Sequence, residues 1–300
     1  MENKQKIPKL QHPTILPATT YYQLRALVDT YMQVQKIRVA SNNRINAMFR
    51  KQDEYHPFRE ELLEILANLK EVEAGLQNKM LTVLHDIDVY TQFLSDIKGL
   101  GPVLSAKLLS IPFKFPAKVT EWYSYAGLIP FYFKCICKNN HKFLYPKKDV
   151  IVCPVCHTQS MKRLEFVNKA PRRVIGHRTF WSPYARTTLW LIARNFMLGG
   201  KFYKAVYKHA REVYSKRHPD RHTRHIIGMA LRYTVKLFLS HFHEAAHKLH
   251  GEKYTLPYQF MKLPKHGDYI SYAEVLLFEK DKDVSVTDIQ EFVSSKLLNT

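Results

Sequence analysis

Two closely spaced cysteine pairs, Cys135-Ile-Cys137 and Cys153-Pro-Val-Cys156, contain all four cysteines of this chain and lie within 22 residues. Thiolate pairs on turns, separated by a short β-prone stretch (Lys142-Phe-Leu-Tyr, Val150-Ile-Val), predict a closed tetrahedral Zn2+ site of structural type. The expected ligands are Cys135, Cys137, Cys153 and Cys156, with His141 or His157 able to replace one sulfur. A second chemistry is offered by Asp96-Ile-Lys-Gly-Leu-Gly-Pro-Val-Leu-Ser-Ala-Lys-Leu-Leu109, which reads as helix, tight Gly-x-Gly turn, helix. Gly99 and Gly101 would let backbone N–H groups approach an anion, with a helix N-terminus behind them. That is the chemistry by which a helix-hairpin-helix grips a DNA phosphate, and Lys98 and Lys107 would assist. A third candidate is the stripe Lys201, Lys204, Lys208 and Arg211, opposite Phe202, Val206, Ala210 and Val213 on one predicted helix, which suits a phosphate backbone. Arg172, Arg173, Arg178 and Arg186 complete the predicted DNA-binding set.

A fourth pattern, His243-Glu-Ala-Ala-His247, matches the H-E-x-x-H of zinc metallopeptidases, in which two His on one helix face bind metal beside a general base. It lies in a His-rich stretch, lacks a third ligand in metzincin spacing, and leaves the basic stripe unexplained. It is kept as a remote alternative.

These residues need elements to place them. The chain has 300 residues, 46% of them apolar and 24% charged, enough to bury a core without covalent staples and too apolar for a disordered chain. Lys and Arg number 46 against 26 Asp and Glu, a net charge of +20. Residues 161–250 hold 19 of the basic residues and only 4 acidic ones, whereas 268–300 is acidic, with 7 carboxylates against 3 lysines. So concentrated a field favours a polyanionic partner, DNA first, with binding that weakens steeply in salt. No stretch is apolar enough for a membrane span, and no secretory signal opens the chain. Cytoplasmic, nucleoid-associated localisation is expected.

The fold class expected is mainly α: a long helical hairpin or coiled coil, a helix-hairpin-helix and a basic helical domain, with a small β zinc-ribbon insertion. Residues 1–18, with three prolines, form an extended arm. Residues 19–92 carry two periodic runs, Leu24, Leu27, Val28, Tyr31 and Val34, then Leu62, Leu66, Leu69, Val72, Leu76, Met80, Val83 and Ile87. They predict an antiparallel hairpin that packs on itself or makes a homo-oligomer. The helix-hairpin-helix occupies 93–130, the ribbon 131–160 and the basic helical domain 161–265. An acidic tail with one short helix is expected over 266–300.

Ile97–Leu109 followed by Glu121-Trp-Tyr-Ser-Tyr-Ala-Gly-Leu-Ile-Pro130 resembles the C-terminal half of DEDD-type insertion-sequence transposases. Trp181–Ala193, Phe202–Tyr207, Ala230–His241 and Gly251–Tyr258 are similar to an archaeal branch of that family, in the family's order, over roughly residues 20–270. The resemblance implies DNA binding in transposition and recombination, with a guide RNA as a further partner. It also implies a serine attacking the phosphodiester, and Mg2+ held by a RuvC-like carboxylate domain. No strand-rich segment with four spaced carboxylates is found here, so the chain reads as a truncated or split transposase. Alignment puts Arg178 where the family's serine stands, with Thr179 adjacent. Ser182 is the nearest serine and the candidate nucleophile, although Ser before Pro183 also predicts a helix N-cap. The alternative function is a non-catalytic structural protein that binds DNA or RNA.

Overall fold

The structure, a computed structural model, describes residues 10, 12–49, 58–146, 152–159, 161–168, 170–257 and 268–297. The chain is mainly helical with one small three-stranded sheet. It divides into two compact units, the first made of residues up to 95 with 101–112, the second of 96–100 with 113 onward.

In the first unit, α1 (Ala18–Phe49) and α2 (Arg59–His85) lie side by side, followed by the short α3 (Asp88–Thr91) and by α4 (Pro102–Leu109). Leu24, Val28 and Tyr31 of α1 and Leu66, Met80 and Val83 of α2 are buried, as their three- and four-residue spacing predicts. Val72 was expected in that stripe but is half exposed, while its neighbour Glu73 is buried. The reason is an ion pair: Arg38 Nε reaches Glu73 Oε1 at 2.7 Å and turns that position inward. Of the predicted arm, residues 1–9 and 11 lie outside the described residues. Leu10 N–H donates to the Tyr22 hydroxyl at 3.0 Å, and Ile15 and Leu16 are buried, so the rest docks on this unit.

Helix α4 corrects one expectation. Lys107 was expected to grip DNA, yet Ser105 through Leu109 are all buried and Lys107 is 5% exposed. Its Nζ lies 3.5 Å from Met32 Sδ, and burial, helped by nearby Arg25, lowers its basicity. On an eight-residue helix covered by α1 and α2, position 107 falls on the covered side, where a phosphate has no access.

The second unit contains α5 (Val119–Tyr125), the strands β1 (Tyr132–Cys137), β2 (Lys142–Tyr145) and β3 (Met161–Val167), then α6 (Pro183–Gly199), α7 (Phe202–Arg217) and α8 (Thr223–Leu249). The sheet order is β2-β1-β3, antiparallel throughout. Helix α6 starts where Ser182 Oγ accepts the Ala185 N–H at 3.2 Å, with Pro183 in the first turn. It stops at Gly200, where a Cβ would sit 2.6 Å from Phe196 O, a distance that only glycine permits. Phe196 stacks on Tyr203 with ring centres 4.5 Å apart and meets Phe238 edge-on at 5.0 Å, which joins α6, α7 and α8 into one aromatic core. The acidic tail is more ordered than expected: α9 (Tyr272–Lys280) and α10 (Val286–Lys296) each begin with a capping box, Ser271/Glu274 and Ser285/Asp288. Both pack on α7, and α9 also on α8. No helix among the described residues is long and apolar enough to cross a membrane.

Candidate functional site

The sheet presents Cys137 at the end of β1 and His141 in the turn to β2. That turn closes through Cys137 N–H to His141 O at 3.2 Å, with Asn140 at φ 59°. A second turn, Cys153-Pro-Val-Cys156, folds on itself through His157 N–H to Cys153 O at 2.9 Å and Val155 N–H to Cys153 Sγ at 3.4 Å. Ligand atoms of Cys137, His141, Cys153 and Cys156 all lie within 4.8 Å of one another. Cys137 Sγ is 3.7 Å from Cys156 Sγ, and His141 Nδ1 is 3.4 Å from Cys137 Sγ and 3.9 Å from Cys153 Sγ. A tetrahedral centre with metal–sulfur bonds of about 2.3 Å and metal–nitrogen bonds of about 2.0 Å has edges of roughly 3.8 and 3.5 Å. The cluster is already near the size of a coordination shell and could hold a metal ion. Hydrogen bonds from Thr158, its Oγ1 at 3.3 Å, draw the Cys156 thiol down to about 5, which favours the thiolate a metal needs.

Cys135 is not a member, which corrects the four-cysteine expectation. It sits two residues before Cys137 on a strand, so the two side chains share a face but stand roughly 7 Å apart along it. Cys135 is instead fully buried among Phe133, Phe143 and Cys153, where burial raises its thiol pKa. His141 takes its place because a tight turn, unlike a strand, folds i and i+4 together.

The sheet also positions a basic loop. Leu144 N–H donates to Arg178 O at 2.8 Å and Arg178 N–H to Lys142 O at 2.9 Å, so residue 178 runs parallel along the free edge of β2. Arg178 Nη1 donates to Pro154 O in the cysteine turn at 3.1 Å. Tyr132, Leu144, Val167 and Trp181 form a small core beneath. The loop thereby walls a cavity of about 630 Å³ with Arg172, Arg173, His177, Arg178, Trp181 and, from α6, Arg186. A second cavity of about 370 Å³ shares Arg186 and Thr187 and continues between α6 and α8 to Trp190, Leu231, Arg232 and Val235. Among the described residues no acidic side chain lines either. Burial, with Arg232 and Arg172 as neighbours, lowers the basicity of Arg186; burial and Arg172 do the same to Arg232. Arg172, Arg173 and Arg232 have no hydrogen bond or ion pair with any described residue. His177 Nε2 is a buried polar atom without a partner. Four of the predicted DNA-binding residues, Arg172, Arg173, Arg178 and Arg186, are therefore brought together. Arg232 and Trp190 were missed, although Arg186/Trp190/Ala193 and Gly228/Leu231/Arg232/Val235 each follow helical spacing on one face.

The other predicted residues fare differently. On α7, Lys208 and Arg211 are exposed and line a shallow hollow with Glu212 and Gln290. Lys204 Nζ donates to Leu198 O at 3.1 Å, and Lys201 Nζ is bound to Asp281 O. At the twin-glycine elbow, the Lys98 and Phe202 N–H groups donate to Glu279, at 3.2 and 3.1 Å, and Leu100 N–H closes the turn on Ile97 O at 3.1 Å. Gly99, at φ 88°, is required by its approach to α6, since a Cβ would lie 3.1 Å from Asn195 O. The Lys98 amide is thus occupied by the chain's own Glu279 side chain. Gly101 caps α4 in the first unit. Burial lifts Glu279 to about 7 despite the two N–H donors.

Ser182 is the α6 cap, and among the described residues nothing accepts its own O–H. Among the described residues the Cys/His group is the one cluster that could hold a metal ion. In the H-E-x-x-H, His243 Nε2 donates to Ala117 O at 2.6 Å and His247 Nδ1 to His243 O at 2.8 Å. Glu244 accepts from the Tyr269 hydroxyl and the Tyr272 N–H at 2.8 and 3.0 Å and pairs with Lys248 at 2.7 Å. Burial drives His243 down to about 4, so it serves as a neutral core donor. No protein-family model and no curated protein matches the chain.

Proposed function

We propose that the chain is a DNA-binding protein whose phosphate site is the arginine cavity beside β2, and that the Cys137/His141/Cys153/Cys156 cluster is a zinc ribbon that holds this cavity open. Three soft sulfurs and one imidazole at tetrahedral spacing suit zinc with no position left for substrate, so the ion's work is structural. It fixes the two turns. These fix Pro154 and the β2 edge, and they in turn hold Arg178 and the loop that carries Arg172 and Arg173. The observation that carries the reading is the crowding of four arginines, 172, 173, 178 and 186, around one concavity with no carboxylate among its described lining residues. Such a group is costly to assemble unless a polyanion completes it. Transposition or recombination is the setting suggested by the resemblance of Ile97–Leu109 and Glu121–Pro130. The helical hairpin of the first unit would supply self-association.

The test is a salt titration of duplex DNA affinity by fluorescence anisotropy. Each phosphate contact contributes about −0.9 to the slope of log K against log salt. Replacing Arg172, Arg173 and Arg178 together by Ala should flatten the slope by about 2.7. An unchanged slope removes the cavity from the interface.

A further inference from the structure

The polynucleotide reading explains the arginines but not the slot that opens beside them. This cavity of about 370 Å³ lies between α6 and α8, and its walls are apolar: Leu128, Trp190, Ala193, Leu231 and Val235. Two of its positions are glycine, and a side chain added at Gly228 would meet nothing within 4 Å. Trp190 is 49% exposed, whereas Trp122 and Trp181 are 1% and 6% exposed. Arg194 lies over the Trp190 ring with its guanidinium 4.9 Å from the ring centre, a cation–π contact that holds the indole in place. Arg186 and Arg232 line the same slot, and Arg186 also faces the larger arginine cavity.

A largely apolar slot of this volume, with an exposed indole and two cations in its lining, has the chemistry of a nucleotide site. A duplex offers only its backbone and groove edges to such a surface. An unpaired base offers a π-face for Trp190, and its own phosphate then falls toward the arginines. Resting on the proposed polynucleotide binding, we infer that the slot takes one unstacked base of a single strand, with Trp190 as its platform and Arg186 and Arg232 on the adjoining phosphate. DNA and RNA share this chemistry.

The experiment compares a blunt duplex, the same duplex with a one-nucleotide bulge, and a single strand made as DNA and as RNA. Affinity is read by anisotropy and stacking by quenching of Trp190 fluorescence. The bulged and single-stranded probes should bind about 5- to 100-fold more tightly than the blunt duplex and quench the exposed tryptophan. The tighter of the two single strands identifies the natural source. Gly228→Leu fills the slot without altering charge and favours the α8 helix, so it should erase that preference while duplex affinity and melting temperature hold. Trp190→Ala, at an exposed position, should erase it independently. Equal affinity for all probes, or a preference that survives both substitutions, overturns the slot and leaves duplex binding standing. Absence of affinity for every probe overturns the polynucleotide reading itself.

Discussion

Exchanging a single ligand separates the observed cluster from the four-cysteine arrangement that spacing suggests. In His141→Ala one of four ligands is lost. Structural zinc binding is worth about 10–16 kcal/mol, so an even share is roughly 2.5–4 kcal/mol per ligand, or about 10²- to 10³-fold in affinity. In Cys135→Ser no ligand is lost. A hydroxyl instead enters the cluster of Phe133, Phe143 and Cys153 without a partner, which costs about 1–3 kcal/mol of stability. The assay is zinc per chain by elemental analysis after dialysis against a chelator of graded strength, with thermal melting in parallel. Wild type and Cys135→Ser should keep one zinc, with Cys135→Ser melting lower, while His141→Ala should lose its zinc at weak chelator. Loss of zinc from Cys135→Ser together with retention by His141→Ala would refute the geometry.

Glu279 sets a stability term with a definite sign. Its carboxyl titrates near 7 when folded and near 4.5 unfolded, so between those values the folded chain holds a proton that the unfolded chain has released. Its contribution is complete below about pH 4.5 and is lost as pH rises through 7, an amount of about 3 kcal/mol. Melting curves of Glu279→Gln should accordingly decline less between pH 5 and 8 than those of wild type, and parallel declines would dismiss the assignment. Ser182→Ala should cost about 1 kcal/mol through the lost cap, or roughly 2–4 °C in melting temperature, with DNA affinity retained. A large fall in affinity at unchanged stability would instead return Ser182 to the functional surface. Lys107→Met should leave DNA affinity as it was, because the side chain is buried. Weakened binding would show that the side chain reaches a phosphate.

Local features were legible where the chemistry was local. The apolar period of α2, the Ser182-Pro183 start and the Gly199-Gly200 stop of α6, and the paired turns of the metal cluster all follow from neighbours a few residues apart. The choice of His141 over Cys135 was half legible. Both were candidates, but deciding between them required knowing that Cys135 lies within a strand and His141 within a turn. Lys107 was misread because a cation on a short helix says nothing of which side is covered. The cavity was harder still: Arg172 and Arg232 are 60 residues apart in sequence, and only the docking of the 171–181 loop beside α6 and α8 makes them neighbours. Glu279 carried no signal at all beyond the capping box that starts its helix, and an acidic run reads as solvated until its partners are known.

The carboxylate of Glu279, the Tyr269 hydroxyl and the Ile270 carbonyl that receives His241 Nε2 at 2.8 Å are all encoded after the residues they complete. A ribosome translating this message exposes Phe202, His241 and Glu244 before any of those partners has been polymerised. The second unit therefore cannot close as it emerges. It must wait, with polar groups in its centre still wet, until its last segment arrives. A product truncated by a stop codon near position 255 would leave those groups without the acceptors and donors meant for them, and should be recognised and cleared by proteases rather than persist as a shorter chain.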